Sequence, residues 1–406
     1  MGSSYPYVDE LRRAAEELYP QMVNFLVDLI RIRSYTGEEA EAVERTLTEL
    51  RHIGCEKVWM DTAGNALGQI GEGRPLLLYD AHLDTNEISD ESSYPFPPLE
   101  GQVVGETLYG LGASDCKGGV AAIVYGLAIL GHLNLRPPCT VVAMGATLEE
   151  EAEGFALRSL VERDGLRPDA VLIAEASDLT LRIGHRGRCE IRITTKGRAA
   201  HASVPEQGEN AILKMIPVIE RVEAMGQNLP SDPLLGQGTQ VITQIRSPNT
   251  PNSVPEWCEI TIDRRLVAGE TVEGLFRQYE EALAPLGAKV SLPVQPVRTH
   301  TGLRLDDLAF FPGWTIEESH PLVQAGRRTY ELLWGRAAPV RIWRFSTDGT
   351  YSAGRAGIPT LGFGPQEEQY VHTPEDQVNL RKVKEAALFY ALFPFVYAEI
   401  FDQKEV

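Results

Sequence analysis

The chain has 406 residues, a formal net charge of −19 at pH 7 and 43% hydrophobic residues. Its length exceeds that of one ordinary core and predicts about two or three compact units. The composition, with 23% charged residues, is typical of a globular protein and excludes a disordered chain. The negative charge argues against nucleic acid and against anionic membrane surfaces as partners.

The cysteine content and the amino-terminal sequence indicate the compartment. The five cysteines are odd in number and show no Cys-x-x-Cys spacing, which favours a reducing compartment over a disulfide scaffold. The first twenty residues lack the basic start and the apolar stretch of a signal peptide. No run of about 18 apolar residues predicts a membrane span. We therefore expect a cytoplasmic protein.

Helical and strand patterns alternate over the first part of the chain. Residues 9–33 place apolar side chains at helical spacing, with Pro20 as a candidate interruption. Thr36 and Glu39 have the spacing of a capping box at the start of a second helix. Further elements are predicted as a strand at 76–79, a helix at 118–133 and strands at 140–144 and 170–174. This alternation implies a mostly parallel sheet with helices on both faces.

The pattern changes after about residue 183. Segments 189–195 and 257–263 alternate apolar and polar residues, which is typical of antiparallel strands with one solvated face. Helical patterns near 210–225 and 271–283 accompany them. Two helices on one antiparallel sheet make a small α+β domain.

After a proline-rich segment at 292–296 the first pattern returns. A helix is predicted at 321–333, a strand at 360–364 and a closing helix at 381–400. The sequence therefore predicts an α/β domain of residues 1–184 and 298–406, interrupted by an inserted α+β domain of residues 185–297. We see no internal repeat and no low-complexity tract.

His82 and Asp84 follow directly on the apolar strand that begins at Leu76. Residues two apart on a strand project from the same face, and ligands of open α/β sheets bind beyond the carboxyl ends of the strands. The pair could begin a metal site. Alone, it is more typical of residues that cap a loop after a buried strand.

Other strands end in the same kind of residue. Asp115 lies in a glycine-bounded loop before a helix, Glu149 and Glu150 follow one apolar strand, Glu175 follows another, and His372 lies beyond the last. Each acid alone could cap a helix. Their recurrence predicts a metal centre, because two imidazoles and three carboxylates match the ligand preferences of zinc, cobalt and manganese.

The sequence resembles the M20 family of metallopeptidases and deacylases, which includes acetylornithine deacetylase, succinyl-diaminopimelate desuccinylase, aminoacylase and carboxypeptidase relatives. The resemblance covers nearly the whole chain and rests on several ordered motifs. These are His82-Leu83-Asp84, the Asp-x-Lys-Gly-Gly motif in Ser114–Gly119, the pair Glu149-Glu150, Ala174-Glu175-Ala176 where Gly-Glu-Pro is common, Gly197 to His201, and His372.

The resemblance implies a centre of two divalent metal ions, with Zn²⁺ expected first and Co²⁺ or Mn²⁺ as alternatives. It assigns one ion to His82, Asp115 and Glu175. It assigns the other to Asp115, Glu150 and His372, so that Asp115 bridges the two. From the residues alone, either Glu149 or Glu150 could be the ligand.

The resemblance also implies roles for residues that hold no metal. Asp84 is expected to orient His82, and Glu149 is expected to act as the general base. His201 resembles an oxyanion stabiliser that reaches the site of a neighbouring subunit, although its local sequence alone favours a solvated loop histidine. The inserted domain would then serve as a lid and a dimerisation domain, and a homodimer is expected.

Substrate contacts are implied at Asn252, Arg265 and Asp348. Asn252 and Arg265 match family positions near the substrate's carboxylate or carbonyl oxygen, although an arginine after an antiparallel strand is equally typical of a surface ion pair. Asp348 lies in a segment similar to the family's Gly-Gly-Thr-Asp-Ala, with Ser346 where a glycine is usual.

These observations predict a hydrolase that uses metal-activated water to cleave an amide bond of a small N-acyl amino acid, as deacetylases and desuccinylases do. The segment from Gly184 to Arg188 is most similar to the less characterised hydrolases grouped with acetylornithine deacetylase. A metallo-dipeptidase or carboxypeptidase acting on a short peptide is nearly as well supported. A carbamoylase and a catalytically silent binding protein on the same fold are further alternatives.

Cys116 lies beside Asp115 and suggests a nucleophile. No histidine near it in sequence could activate it, so a packing role is the better interpretation.

Overall fold

The computed structural model of the chain describes residues 7–248 and 251–402. The helices are α1 Val8–Arg31, α2 Ala40–His52, α3 Gly118–His132, α4 Phe155–Glu162, α5 Ala211–Gly226, α6 Val272–Leu283, α7 Pro321–Trp334, α8 Gly349–Ser352 and α9 Leu380–Asp402. The long helices predicted from apolar periodicity are confirmed to within a few residues. Pro20 does not interrupt α1, which runs continuously through it.

The strands are short, and many of them follow the predicted apolar runs. They are β1 Lys57–Met60, β2 Ala66–Ile70, β3 Leu76–His82, β4 Gln102–Val104, β5 Thr107–Tyr109, β6 Thr140–Ala146, β7 Ala170–Ile173, β8 Leu181–His185, β9 Gly187–Lys196, β10 Ser231–Asp232, β11 Gly236–Gln237, β12 Thr239–Arg246, β13 Trp257–Leu266, β14 Ala288–Ser291, β15 Val294–Arg298, β16 Arg304–Leu308, β17 Phe310–Phe311, β18 Trp314–Thr315, β19 Val340–Trp343, β20 Thr360–Gly362 and β21 Gln377–Asn379.

The large sheet has the strand order β1-β2-β6-β3-β7-β20-β8-β18, with β19 paired to β8. Its central strands β6, β3, β7 and β20 run parallel. At one edge β1 and β2 are antiparallel, because the short turn between them cannot make the crossover that parallel strands need. The predicted α/β class, with a mostly parallel central sheet, is confirmed.

Both faces of the large sheet are covered, and β3 shows why its sequence is continuously apolar. Leu77 and Tyr79 pack into the core formed with α1, α3 and α9. Leu78, on the opposite face, packs with Leu157 and Leu160 of α4. A strand buried on both sides needs no polar face.

The core helix α3 is apolar on all sides. The segment Ala113–His132 has the length and mean hydropathy of a membrane span, but its apolar window is wholly buried inside the protein. Core helices of globular proteins share this composition.

The inserted unit is an antiparallel sheet of order β12-β13-β9-β14, to which β17 adds beside β9. The strands predicted at 189–195 and 257–263 are confirmed as β9 and β13. Helices α5 and α6 pack on one face of this sheet. Strand β17 pairs with β9 of the small sheet although it follows residue 297 in the chain. The domain boundaries drawn from the sequence stay a prediction.

The two sheets are joined where two chain segments cross. Only Arg186 separates β8 of the large sheet from β9 of the small one, and the returning chain passes from β17 to β18 beside it. A Cβ atom on Gly187 would lie 2.2 Å from the carbonyl oxygen of Phe311 and 2.3 Å from the nitrogen of Gly313. The crossing therefore requires glycine at residue 187.

Candidate metal centre

The fold brings the five predicted metal ligands to one edge of the large sheet. His82 ends β3, and Glu150 and Glu175 follow β6 and β7. Asp115 lies in the turn before α3, and His372 lies beyond β20. Because β6, β3, β7 and β20 are parallel neighbours, their carboxyl ends meet at this edge, which is where such sheets bind ligands.

The distances within the cluster define two groups that share one carboxylate. His82 Nε2 lies 3.1 Å from Asp115 Oδ1 and 3.2 Å from Glu175 Oε1. His372 Nε2 lies 2.9 Å from Asp115 Oδ2 and 3.0 Å from Glu150 Oε2. Each oxygen of Asp115 therefore faces a different imidazole.

The carboxylates of the cluster lie close enough to shift the pKa values of their neighbours. Burial, and then the charge of Asp115, raise the pKa of Glu150 to about 7. Hydrogen bonds to Asp115 and Glu150 raise the pKa of His372 to about 10. Protons on the imidazoles thus offset part of the negative charge of the carboxylates, and divalent cations would offset more of it. The donor set fits two such ions, with nitrogen and oxygen ligands on each.

Asp84 supports the centre through both its backbone and its side chain. The Nδ1 atom of His82 lies 2.9 Å from the backbone carbonyl oxygen of Asp84, whereas the carboxylate oxygen is 3.5 Å away. The Asp84 carboxylate also accepts the backbone N–H groups of Glu149 and Glu150, each at 3.1 Å. Its backbone fixes the imidazole so that Nε2 faces the cluster, and its side chain holds the glutamate pair.

Leu148, directly before the glutamate pair, has φ +66°, a left-handed conformation that costs a leucine about 1–3 kcal/mol. Its backbone N–H donates to Glu39 Oε1 at 3.2 Å. The capping box predicted for Thr36 and Glu39 is wrong, because α2 begins without a side-chain cap and Thr36 donates its hydroxyl to Asp84 at 2.9 Å. Both residues stabilise the metal-centre loops instead.

Glu149 lies at the cluster without joining either group. Its Oε2 atom is 4.0 Å from His82 Nε2, farther than the acids that face that imidazole. The side chain is buried, and burial raises its pKa. A carboxylate in this position can exchange a proton with a water molecule held at the cluster.

Two supporting residues, Asn86 and Asp376, were missed by the sequence analysis. Asn86 Nδ2 lies 2.8 Å from Glu150 Oε2 and 3.0 Å from His372 Nε2. The position of Asn86 two residues after Asp84 was the available signal.

Asp376 anchors the loop that carries Asp115. Its carboxylate accepts the backbone N–H groups of Gly112 and Ser114 at 2.6 and 2.7 Å, and the Ser114 hydroxyl at 2.6 Å. Neither its spacing from His372 nor its neighbours in sequence indicated this contact.

The cluster opens into a cleft of about 400 Å³ between the large sheet and the small domain. Besides the acids and His372, its walls contain Arg188, Arg265, Phe345 and Ser346. Arg265 was predicted to contact substrate, and the structure places it in the cleft. A second cavity of about 260 Å³ lies on the other side of His372 and includes Asn86.

The remaining predicted residues lie elsewhere. Asp348 is buried, accepts the backbone N–H of Gly154 and is not among the residues that line the cleft; its substrate contact stays a prediction. His201 is exposed on the small domain, with Nδ1 2.7 Å from Ser203 Oγ. Asn252 lies in the adjoining loop, where its carbonyl oxygen accepts the N–H of Ala202. Within residues 7–248 and 251–402, neither His201 nor Asn252 lines the cleft of its own chain.

Cys116 lies closer to the centre than its sequence suggested. Its sulfur, His82 and Glu175 form a group whose ligand atoms lie within 4.8 Å of one another. Burial raises the pKa of the thiol well above its ordinary value, which disfavours the thiolate that metals and electrophiles require. Its buried place in the core agrees with a packing role.

Comparison with known proteins adds independent findings. The sequence model of Peptidase family M20/M25/M40 matches residues 78–394. The chain is 36% identical over 398 residues to "Uncharacterized protein YgeY" of Escherichia coli (strain K12), an alignment that covers 97% of this chain and 98% of that protein.

Two solved structures are similar in fold. The M20 family metallo-carboxypeptidase Sso-CP2 of Sulfolobus solfataricus aligns with a TM-score of 0.72 and 16% identity, over 93% of this chain and 99% of that one. The YXEP protein of Bacillus subtilis, a dinuclear metal-binding peptidase from the M20 family, aligns with a TM-score of 0.68 and 15% identity, over 95% and 99% of the two chains.

Fold and comparisons place this protein in the class of hydrolases that act on peptide or amide bonds. Within that class, the chain belongs to peptidase family M20/M25/M40. The resemblance found in the sequence motifs is thereby confirmed.

Proposed function

We propose that this protein is a dinuclear metal-dependent hydrolase that releases an amino acid from a small N-acyl amino acid. His82, Asp115 and Glu175 would hold one ion, and Asp115, Glu150 and His372 the other, with Zn²⁺ preferred over Co²⁺ and Mn²⁺. The observation that carries the proposal is the geometry of Asp115, whose two carboxylate oxygens face the two imidazoles at 3.1 and 2.9 Å.

Two divalent ions at this place would supply activation of a water molecule and polarisation of the scissile carbonyl. The protein's own groups would do the rest. Glu149 would take the proton of the attacking water and deliver it to the leaving amine. Arg265, in the cleft wall, would bind the carboxylate of the amino acid.

The first prediction concerns Glu149→Gln, which should lower kcat by about 10²- to 10⁴-fold, because the variant loses a general base. Metal content should stay at two ions per chain. The measurement is turnover of N-acetyl, N-succinyl and N-carbamoyl amino acids and of dipeptides after zinc, cobalt or manganese loading, beside elemental analysis. Glu151→Gln is the matched control, since Glu151 is the next residue but one and is exposed.

The same panel separates the alternatives. Preference for dipeptides would favour a dipeptidase or carboxypeptidase, the activity named for a structural neighbour of similar fold. Release of ammonia and carbon dioxide from N-carbamoyl substrates would favour a carbamoylase. A protein that binds two metals but turns over no member of the panel would contradict both the deacylase and the dipeptidase, and would leave the silent binding protein.

We also propose that the protein acts as a cytoplasmic homodimer in which His201 and Asn252 complete the partner's site. Both residues lie on the small domain and outside the cleft of their own chain. No disulfide bond joins the cysteines of residues 7–248 and 251–402, in keeping with a reducing compartment. The surface that would support the dimer is the β12 edge of the small sheet, whose exposed apolar residues include Val241 and Ile245.

A further inference from the structure

Two arginines lie side by side on neighbouring strands of the small sheet, in the wall of the cleft. Arg188 on β9 is the direct register partner of Arg265 on β13, and both line the cavity that contains the metal-centre acids. Directly opposed like charges destabilise a sheet. Each guanidinium group binds a carboxylate. Arg265 binds Asp263 on its own strand at 2.8 Å, and Arg188 binds Glu153 at 3.0 Å.

Arg188 has a fixed position relative to the metal centre. It lies directly after Gly187, in the crossing where β8 leaves the large sheet and β9 begins. Its partner Glu153 follows the metal-centre pair Glu149-Glu150 in the same loop of the large domain. Movement of the small domain would displace residues distant from this crossing more than Arg188.

The contacts of Arg188 engage its Nε atom and one face of its guanidinium group. Glu153 accepts from Nε alone, and the ring of Phe311 lies 4.2 Å from Cζ and covers one face of the guanidinium. Within the described residues, no hydrogen bond engages its two terminal nitrogens, and the side chain is 34% exposed. In Arg265, Asp263 occupies Nε and Nη2, so among the described contacts Nη1 is the nitrogen left for the α-carboxylate assigned to this residue. A held guanidinium with free terminal nitrogens is suited to bidentate recognition of a carboxylate.

We propose that Arg188 binds a second anionic group of the substrate, so that the preferred substrates are N-acyl amino acids with two carboxylates. One carboxylate is the α-carboxylate assigned to Arg265. The other belongs either to the acyl group or to the amino-acid side chain. This inference rests on the proposed function and specifies its substrate class.

The test compares substrates that differ only in the second charge. N-Succinyl-alanine against N-butyryl-alanine probes the acyl side, and N-acetylglutamate against N-acetylglutamine probes the side chain. The wild-type enzyme should prefer the di-acid in at least one pair. Arg188→Gln should lower kcat/KM for that di-acid by about 10- to 100-fold, the range of a charge-assisted hydrogen-bonded contact, and change the neutral analogue by less than about threefold.

Two further variants make the comparison specific. Arg188→Lys keeps the charge without the planar fork and should fall between the wild type and Arg188→Gln. Arg192→Gln is the matched control: Arg192 lies on the same polar face of β9, pairs with Glu190 at 2.9 Å and does not line the cleft. It should behave as the wild type. Because Arg188→Gln leaves Glu153 without its partner, the double variant Glu153→Gln/Arg188→Gln should show the same selectivity with a normal unfolding temperature.

The proposal is overturned if Arg188→Gln lowers kcat/KM equally for the di-acid and its neutral analogue, or if the wild type prefers the neutral analogue in both pairs. A binding measurement keeps this result separate from the proposed hydrolase activity. Glutarate and butyrate are titrated calorimetrically into metal-loaded wild type and Arg188→Gln. A selective loss of glutarate affinity supports the anion site even if no amide is hydrolysed, and equal affinity of both proteins for glutarate overturns it.

Discussion

The surroundings of His372 and His185 shift their pKa values in opposite directions. His372 faces the carboxylates of Asp115 and Glu150, which raise its pKa to about 10. His185 is buried between aromatic rings, and burial lowers its pKa to about 4. Its Nε2 accepts the backbone N–H of Thr347 at 3.2 Å, so Nδ1 carries the proton and donates it to the Arg186 carbonyl at 3.0 Å. This ring is held in its neutral form.

The second prediction follows from that neutral ring. The folded pKa of His185, about 4, lies below the ordinary value of 6.5, so only the unfolded chain takes up this proton as the pH falls from 6.5 to 4. His185 should therefore remove about 2 kcal/mol from the free energy of unfolding between pH 8 and pH 5. Urea titrations at both values should show a correspondingly smaller loss in His185→Gln. His52→Gln, at an exposed histidine, should lose as much as the wild type.

At the scale of elements, the metal centre depends on loops that other loops hold in place. The turn before α3 presents Asp115, and the Asp376 carboxylate binds that turn through two N–H groups and one hydroxyl. The loop after β6 presents Glu149 and Glu150, and Asp84 binds it in the same way. The carboxylates of Asp376 and Asp84 thus set the positions of the ligands by binding the backbone of the two loops.

The third prediction is that Asp376→Ala lowers metal affinity by about 10- to 100-fold, the effect typical of residues that support metal ligands. The physical reason is that the Gly112–Ser114 turn loses the acceptor that fixes Asp115. Competition with a chromophoric chelator measures the affinity. Asp232→Ala removes a comparable turn acceptor in the small domain and should leave affinity unchanged; equal losses in both variants would contradict the explanation.

On the scale of the whole molecule, the small domain has a sheet edge that the described chain leaves uncovered. Strand β12 ends the small sheet, and its Val241 and Ile245 are 58% and 57% exposed. Leu213 and Ile216 of α5 are exposed as well. Exposed edges with apolar side chains invite pairing with another chain, which is why we place the dimer contact there.

The fourth prediction is that Val241→Lys/Ile245→Lys converts a dimer into a monomer of 44.8 kDa, because two buried cations would oppose the contact. Light scattering after size exclusion measures the mass. Activity should fall with dimer content if His201 serves the partner's site. Val294→Lys, at an equally exposed valine on β15, should remain a dimer. A monomeric wild type would contradict the proposed assembly.

The sequence by itself determined the α/β class, the inserted antiparallel sheet and the candidate ligands, because apolar periodicity and acids at strand ends are local signals. Its motifs also indicated the family. Only the tertiary structure decided that each oxygen of Asp115 faces a different imidazole, and that Asp84 holds the glutamate pair. The sequence likewise did not show that Arg188 and Arg265 are direct neighbours on adjacent strands. Such contacts depend on the register and crossing of segments far apart in the chain, and the spacing of residues along one segment carries no information about them.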